Sequence, residues 1–166
     1  MTARTHRHVE RNAQRGLTLI ELMTVLVIVG ILLVVAFPSF SDAMTTQRLR
    51  ASGTDLMSSL LLARSEAIKR NGQIQVQPKT GTDWTSGWVV TSVATGEQFD
   101  AKNALGNRVS VAGAPASMTY QGNGRLSMAG VTRITIADTY SRSQSRCLLI
   151  DPSGLPTLGI GKSSGC

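Results

Sequence analysis

The spacing of apolar residues changes twice along the chain, and each change marks a different element. Residues 17–37, LTLIELMTVLVIVGILLVVAF, are apolar on every side, interrupted by Thr18, Glu21, Thr24 and Gly30 and closed by Pro38. About twenty residues rise roughly 30 Å as a helix, which is the thickness of a bilayer core. Across residues 39–71 the apolar positions thin to one face. Leu49, Leu56, Leu60, Ala63, Ala67 and Ile68 fall at helical spacing, while Arg48, Arg50, Asp55, Arg64, Glu66 and Lys69 mostly occupy other faces. The pattern predicts an amphipathic helix that Asn71-Gly72 stops, with Lys69 and Arg70 suitably placed in its last turn. Gly30, Gly53 and Pro38 weaken the helical run locally, and a kink is predicted at Pro38.

After Gly72 the period shortens to two. Ile74-Gln75-Val76-Gln77, Met118-Thr119-Tyr120 and Val131-Thr132-Arg133-Ile134-Thr135-Ile136 alternate. Trp88-Val89-Val90-Thr91-Ser92-Val93 is rich in β-branched residues, and Cys147-Leu148-Leu149-Ile150 is a short apolar run. Turn signals separate them at Thr80-Gly81, Gly106-Asn107, Gly122-Asn123-Gly124 and Pro152-Ser153-Gly154. The predicted architecture is α+β: a long N-terminal helix, membrane-spanning in its first half, whose second half packs under an antiparallel sheet.

Charge sharpens the reading of the first forty residues. In residues 1–16 four arginines, Arg4, Arg7, Arg11 and Arg15, face one acid, Glu10. A basic flank before a single apolar run predicts a cytoplasmic N-terminus and an exported remainder. Three processing schemes fit. A secretory signal peptide would be cut late, near Ala36. A plain anchor would not be cut at all. A leader cut ahead of the apolar run would leave the run in the mature chain. Glu21 separates them, because a carboxylate in an apolar span costs about 2.5–3.5 kcal/mol on insertion scales. Cutting after Gly16 gives it a use: the new α-amine at Leu17 lies one helical turn away. Glu21 would then neutralise that amine, or the amine of a neighbouring subunit, during assembly.

These residues carry a resemblance. Arg15-Gly16-Leu17-Thr18-Leu19-Ile20-Glu21-Leu22 resembles the type IV prepilin motif, and the match runs through the apolar stretch to Pro38. The resemblance implies cleavage by prepilin peptidase between Gly16 and Leu17 and N-methylation of Leu17, where the family usually has Phe. A second stretch is similar to the GspH/FimT group of minor pilins and pseudopilins. It comprises Leu62-Ala63-Arg64-Ser65-Glu66-Ala67-Ile68-Lys69-Arg70-Asn71-Gly72, Gly87-Trp88-Val89-Val90 and Arg146-Cys147-Leu148-Leu149-Ile150-Asp151-Pro152-Ser153-Gly154. The implied organisation is a leader at 1–16, a transmembrane and filament-core helix at 17–37, an amphipathic continuation at 38–72 and a β-rich domain at 73–166. The implied role is that of a minor pilin in the inner membrane, built into a type IV pilus with other minor and major pilins and helping to prime it at the tip. The alternatives are a minor pseudopilin of a type II secretion system and a DNA-binding minor pilin for natural transformation.

Two cysteines, Cys147 and Cys166, fall on the exported side, where disulfides persist. Minor pilins often carry a C-terminal disulfide loop; two free thiols are the alternative. From Lys102 onward seven cations face two acids, a net of +5 within a chain of +7. Arg125, Arg133, Arg142, Arg146 and Lys162 are therefore candidates for binding DNA or another polyanion. The arginine motif of DNA-binding relatives is missing at the aligned position, Gly154-Leu155-Pro156-Thr157, and Gly124-Arg125-Leu126-Ser127 only partly matches it. A basic face suited to acidic filament neighbours is the other reading. Both histidines, His6 and His8, lie at the extreme N-terminus, which excludes a His-dependent triad or base in the rest of the chain. No metal site, cofactor or catalytic residue is expected, and a non-enzymatic structural subunit is.

Overall fold

The computed structural model describes residues 18–140, 145–161 and 166, without the side chains of residues 35–39, 41 and 42. The order of elements is α1 (Leu19–Arg70), β1 (Ile74–Thr80), β2 (Asp83–Ser92), β3 (Gln98–Ala101), β4 (Val109–Ala112), β5 (Met118–Tyr120), β6 (Thr132–Asp138), β7 (Ser145–Ile150) and β8 (Pro156–Gly161). One compact unit ends at Phe40 and a second comprises Ser41–Cys166.

In the second unit the helix stripe behaves as its spacing requires. Leu49, Leu56, Leu60, Ala63 and Ala67 are buried. They share one core with Ile74, Val76, Trp88, Val90, Met118 and Tyr120 and with Ile134, Ile136, Leu148 and Ile150. Ile68 departs from the expectation: it is 51% exposed. It follows Ala67 by about 100° around the helix and so falls off the stripe. Its side chain lies instead against the turn at residues 122–124, where a Cβ on Gly124 would come within 2.6 Å of Ile68 Cδ1. Two serines also sit in the buried stripe. Ser52 Oγ donates to Arg48 O at 2.9 Å, and Ser59 Oγ donates to Asp100 Oδ2 at 2.8 Å, tying α1 to β3. Buried hydroxyls are tolerated because each has a partner. Gly53 also has a packing role, since a Cβ there would come within 3.1 Å of Leu158 Cδ1 in β8.

The helix ends as Asn71-Gly72 predicts, with Asn71 in the left-handed region at φ 47°. Gly72 N donates to Ala67 O and Asn71 N to Ile68 O, the paired bonds of a Schellman motif. The strands form two four-stranded antiparallel sheets, β3-β2-β1-β5 and β4-β6-β7-β8. Alternation set the inward faces, and both sheets turn those faces to the same core. The division into two sheets, and the short strands β3, β4 and β8, were not evident from the pattern. β3 and β4 are four residues each, and β8 (PTLGIG) carries Pro and two glycines. Such residues suit edge positions, and all three strands are edges.

Gly87 shows where the sheet depends on a missing side chain. Its φ is 87°, and a Cβ would lie 2.2 Å from Lys102 O. The following residue, Trp88, is buried and accepts Lys102 N at its carbonyl at 2.8 Å.

Leu60→Ala is expected to cost about 2–5 kcal/mol as buried contacts are lost. Leu61→Ala, at a side chain 38% exposed, is expected to cost less than about 1 kcal/mol. Denaturant midpoints of the purified full-length variants check both, and equal losses would contradict the stripe.

Candidate functional site

Among the described residues, the N-terminal unit presents an apolar surface around one acid, Glu21. Thr18 caps α1: its Oγ1 accepts Glu21 N at 3.2 Å. Thr24 Oγ1 donates to Ile20 O at 2.8 Å, so its hydroxyl is satisfied within the helix. The large apolar side chains of residues 19–34 are all exposed, from 44 to 77%. Glu21 is exposed among them, in the first turn of α1. There the helix dipole favours its negative charge. Thr18-Leu19-Ile20-Glu21 also has capping-box spacing. Among the described residues no helix is long and apolar enough to cross a membrane; the side chains of residues 35–39 are not among those described. Gly16 and Leu17, the expected cleavage and methylation positions, lie outside the described residues. Pro38 lies within the span of α1, and its side chain and the kink expected there are likewise outside what is described.

The candidate polyanion-binding residues are dispersed. Arg142 and Lys162 lie outside the described residues. Arg133 is exposed and pairs in register with Leu149, on the outward face of β6 and β7. Arg146 pairs with Ile136 and with Ile160 of β8, which puts it on the face turned toward α1. A Cβ on Gly53 would lie 3.5 Å from Arg146 Cβ. Arg125 is exposed in the turn after Gly124, its backbone N–H donating to Asn123 Oδ1 at 3.0 Å. These three arginines therefore do not form one patch. Other cations of the basic segment are paired: Arg108 Nη2 lies 3.0 Å from Asp138 Oδ2 and Lys102 Nζ 3.7 Å from Asp100 Oδ2.

The C-terminal region is tied down at several points. Cys147 and Cys166 form a disulfide across a sequence separation of 19 residues. Cys166 N donates to Thr135 Oγ1 at 3.4 Å, which fixes the chain end on the outward face of β6. Two turns meet at the end of α1. Arg64 Nε donates to Gly124 O at 3.0 Å, and Tyr120 Oη donates to Gly154 O at 3.1 Å. Burial pushes the Tyr120 phenol well above its ordinary pKa, so it remains a donor. Arg70 binds Glu66 and Glu97 at 2.8 and 2.7 Å, and its guanidinium lies 4.4 Å over the Phe99 ring. The hydrogen bond from Arg70 holds the Glu66 carboxyl below its usual range. Among the described residues no group of His, Cys, Asp and Glu is placed to hold a metal ion.

The globular unit is thus tied together at several points, and residues 19–34 form an exposed apolar helix with one acid. Residues 52–154 match the family described as Type II transport protein GspH, and residues 11–37 match the prokaryotic N-terminal methylation motif. The chain belongs to the GspH family of pilin-like proteins. It is 32% identical over 147 residues to the pilin-like protein PilA1 of Thermus thermophilus, covering 89% of this chain and 82% of that protein. Its fold is similar to that of the type IV minor pilin FimU of Pseudomonas aeruginosa, with a TM-score of 0.58 and 22% identity over 71% of this chain and 91% of that one. It is also similar to that of the minor pseudopilin EpsH of the Vibrio cholerae type 2 secretion system, with a TM-score of 0.50 and 16% identity over 68% and 95%.

Cys166→Ser is expected to lower the stability of the globular unit by about 3 kcal/mol, the loop-closure term for a loop of this length. Denaturant unfolding of the oxidised wild type against the variant measures it; an unchanged midpoint would deny the bridge a stabilising role.

Proposed function

We propose that this chain is a minor pilin of a type IV pilus that helps to build the priming complex at the pilus tip. Prepilin peptidase cuts the precursor between Gly16 and Leu17 and methylates the new amine of Leu17. Residues 17–37 hold the subunit in the inner membrane, with residues 1–16 in the cytoplasm before cleavage and the globular unit in the periplasm. Twitching motility and surface adhesion follow from pilus growth.

One observation carries the proposal: an apolar helix start, exposed on all sides, that holds a carboxylate one turn from a Gly16-Leu17 junction. The apolar faces serve equally in lipid and in a bundle of like helices. Moving from one to the other therefore changes the apolar term little, and packing and ion pairing decide the transfer. Glu21 supplies the ion pair, to an amine that exists only after cleavage. Removing the leader also removes four arginines and one acid and lowers the side-chain charge from +7 to +4.

A second reading, the equivalent subunit of a type II secretion pseudopilus, is supported by the description of the matched family. The two differ in what deletion removes. Loss of twitching with secretion intact supports the pilus reading, and the reverse supports the secretion reading. DNA uptake draws less support, because Arg125, Arg133 and Arg146 are apart.

Two substitutions test the assembly mechanism. Gly16→Glu is expected to leave a precursor of full mass, since the peptidase site is filled. Glu21→Ala is expected to be cut normally but to reach sheared filaments at no more than about a tenth of the wild-type amount, as a lost charge pair implies. Wild-type incorporation of the Ala variant would contradict the ion-pair role.

A further inference from the structure

Several arginines of the globular unit have no carboxylate partner among the described residues, and two of them, from different elements, open onto one groove. Arg50 and Thr54 line it from α1, Arg146 from β7, and Leu158, Gly159 and Ile160 from β8. Its volume is about 310 Å³. Some cations of the unit have carboxylate partners: Arg70 with Glu66 and Glu97, Arg108 with Asp138, Lys102 with Asp100. Exposed Arg50 and half-buried Arg146 have none among the described residues. Asp55, next to Thr54, is not among the lining residues.

Two guanidinium groups beside one cavity repel each other unless an anion lies between them, and their forked donors match a carboxylate. Thr54 adds a hydroxyl. The remaining wall is apolar: Leu158 is half-buried, while Ile160 is 81% exposed at the end of an edge strand. An exposed isoleucine beside two arginines without a carboxylate partner among the described residues fits an occupant that is acidic at one point and apolar at the next. We infer that this groove receives an Asp or Glu side chain, with an adjoining apolar residue, from a neighbouring pilin subunit. The inference rests on the reading of this chain as a filament subunit. A nucleic-acid backbone fits less well. It needs a continuous track of cations, and neither Arg125 nor Arg133 lines the groove.

The test uses the full-length chain in cells that assemble the fibre. Arg50→Glu combined with Arg146→Glu is expected to lower the amount in sheared filaments at least about tenfold, because the site then repels the carboxylate it held. Arg50→Lys with Arg146→Lys keeps the charge and is expected to stay within about threefold of wild type. The Cys147–Cys166 bridge and the mature mass, read by mass spectrometry, report folding and processing of each variant. In parallel, benzoylphenylalanine in place of Thr54 is expected to cross-link, on illumination, to an Asp- or Glu-containing peptide of a pilin. Should the double Glu variant lose its disulfide, this cross-link decides.

Equal incorporation of a folded double Glu variant overturns the inference, as does a cross-link to DNA or no cross-link within assembled fibres. Those results leave the filament reading standing. If wild-type protein itself is absent from every pilin assembly, that reading fails, and the assigned occupant of the groove fails with it.

Discussion

A helix can bury only the faces that something covers, and α1 is covered differently along its length. In the globular unit two sheets cover one stripe, from Leu49 to Ala67, and the helix ends in a Schellman motif where their cover ends. Residues 19–34 expose apolar side chains on all sides. So much apolar surface on a single helix is stable only in lipid or among other helices. That constraint links fold to function: the chain carries a finished domain on a helix that requires partners from outside the domain.

The globular unit is built to resist rearrangement. The Cys147–Cys166 disulfide, the Tyr120–Gly154 and Arg64–Gly124 hydrogen bonds and the Arg70 cluster each join segments far apart in sequence. Glycines permit the closest approaches. Gly154, with φ 84°, places its Cβ position 2.4 Å from Gly124 O, so no side chain fits there. A rigid head suits a subunit whose recognition surfaces must keep their spacing in an assembly. The groove of Arg50, Arg146 and Ile160 is proposed as one such surface.

Periodicity exposed most of this architecture and charge exposed some of it. The helix stripe from Leu49 to Ala67, its stop at Asn71-Gly72 and the strands around Val76, Val90, Ile134 and Leu148 were legible because each is a local pattern repeated several times. Ile68 was misplaced because an apolar residue next to a stripe scores like one in it; only the turn at residues 122–124 reveals its true contact. The edge strands β3, β4 and β8 were hidden because β3 and β4 are only four residues long and β8 is interrupted by Pro and two glycines, so none repeats an alternation long enough to read. The dispersal of Arg125, Arg133 and Arg146 was hidden too: residues on neighbouring strands share a face only through register, which composition does not carry. For the same reason Arg50 and Arg146, far apart in sequence, could not be paired in advance. The cap that Thr18 gives Glu21 N was present in the spacing but was masked by the more specific motif around it.

The account turns on whether the apolar segment survives maturation. Edman sequencing and intact-mass measurement of the protein from native membranes address this directly. The account predicts a chain beginning with N-methylated leucine at position 17, with Glu21 retained. A chain beginning near Ser39, without the apolar segment, would contradict it and leave only an exported two-sheet domain.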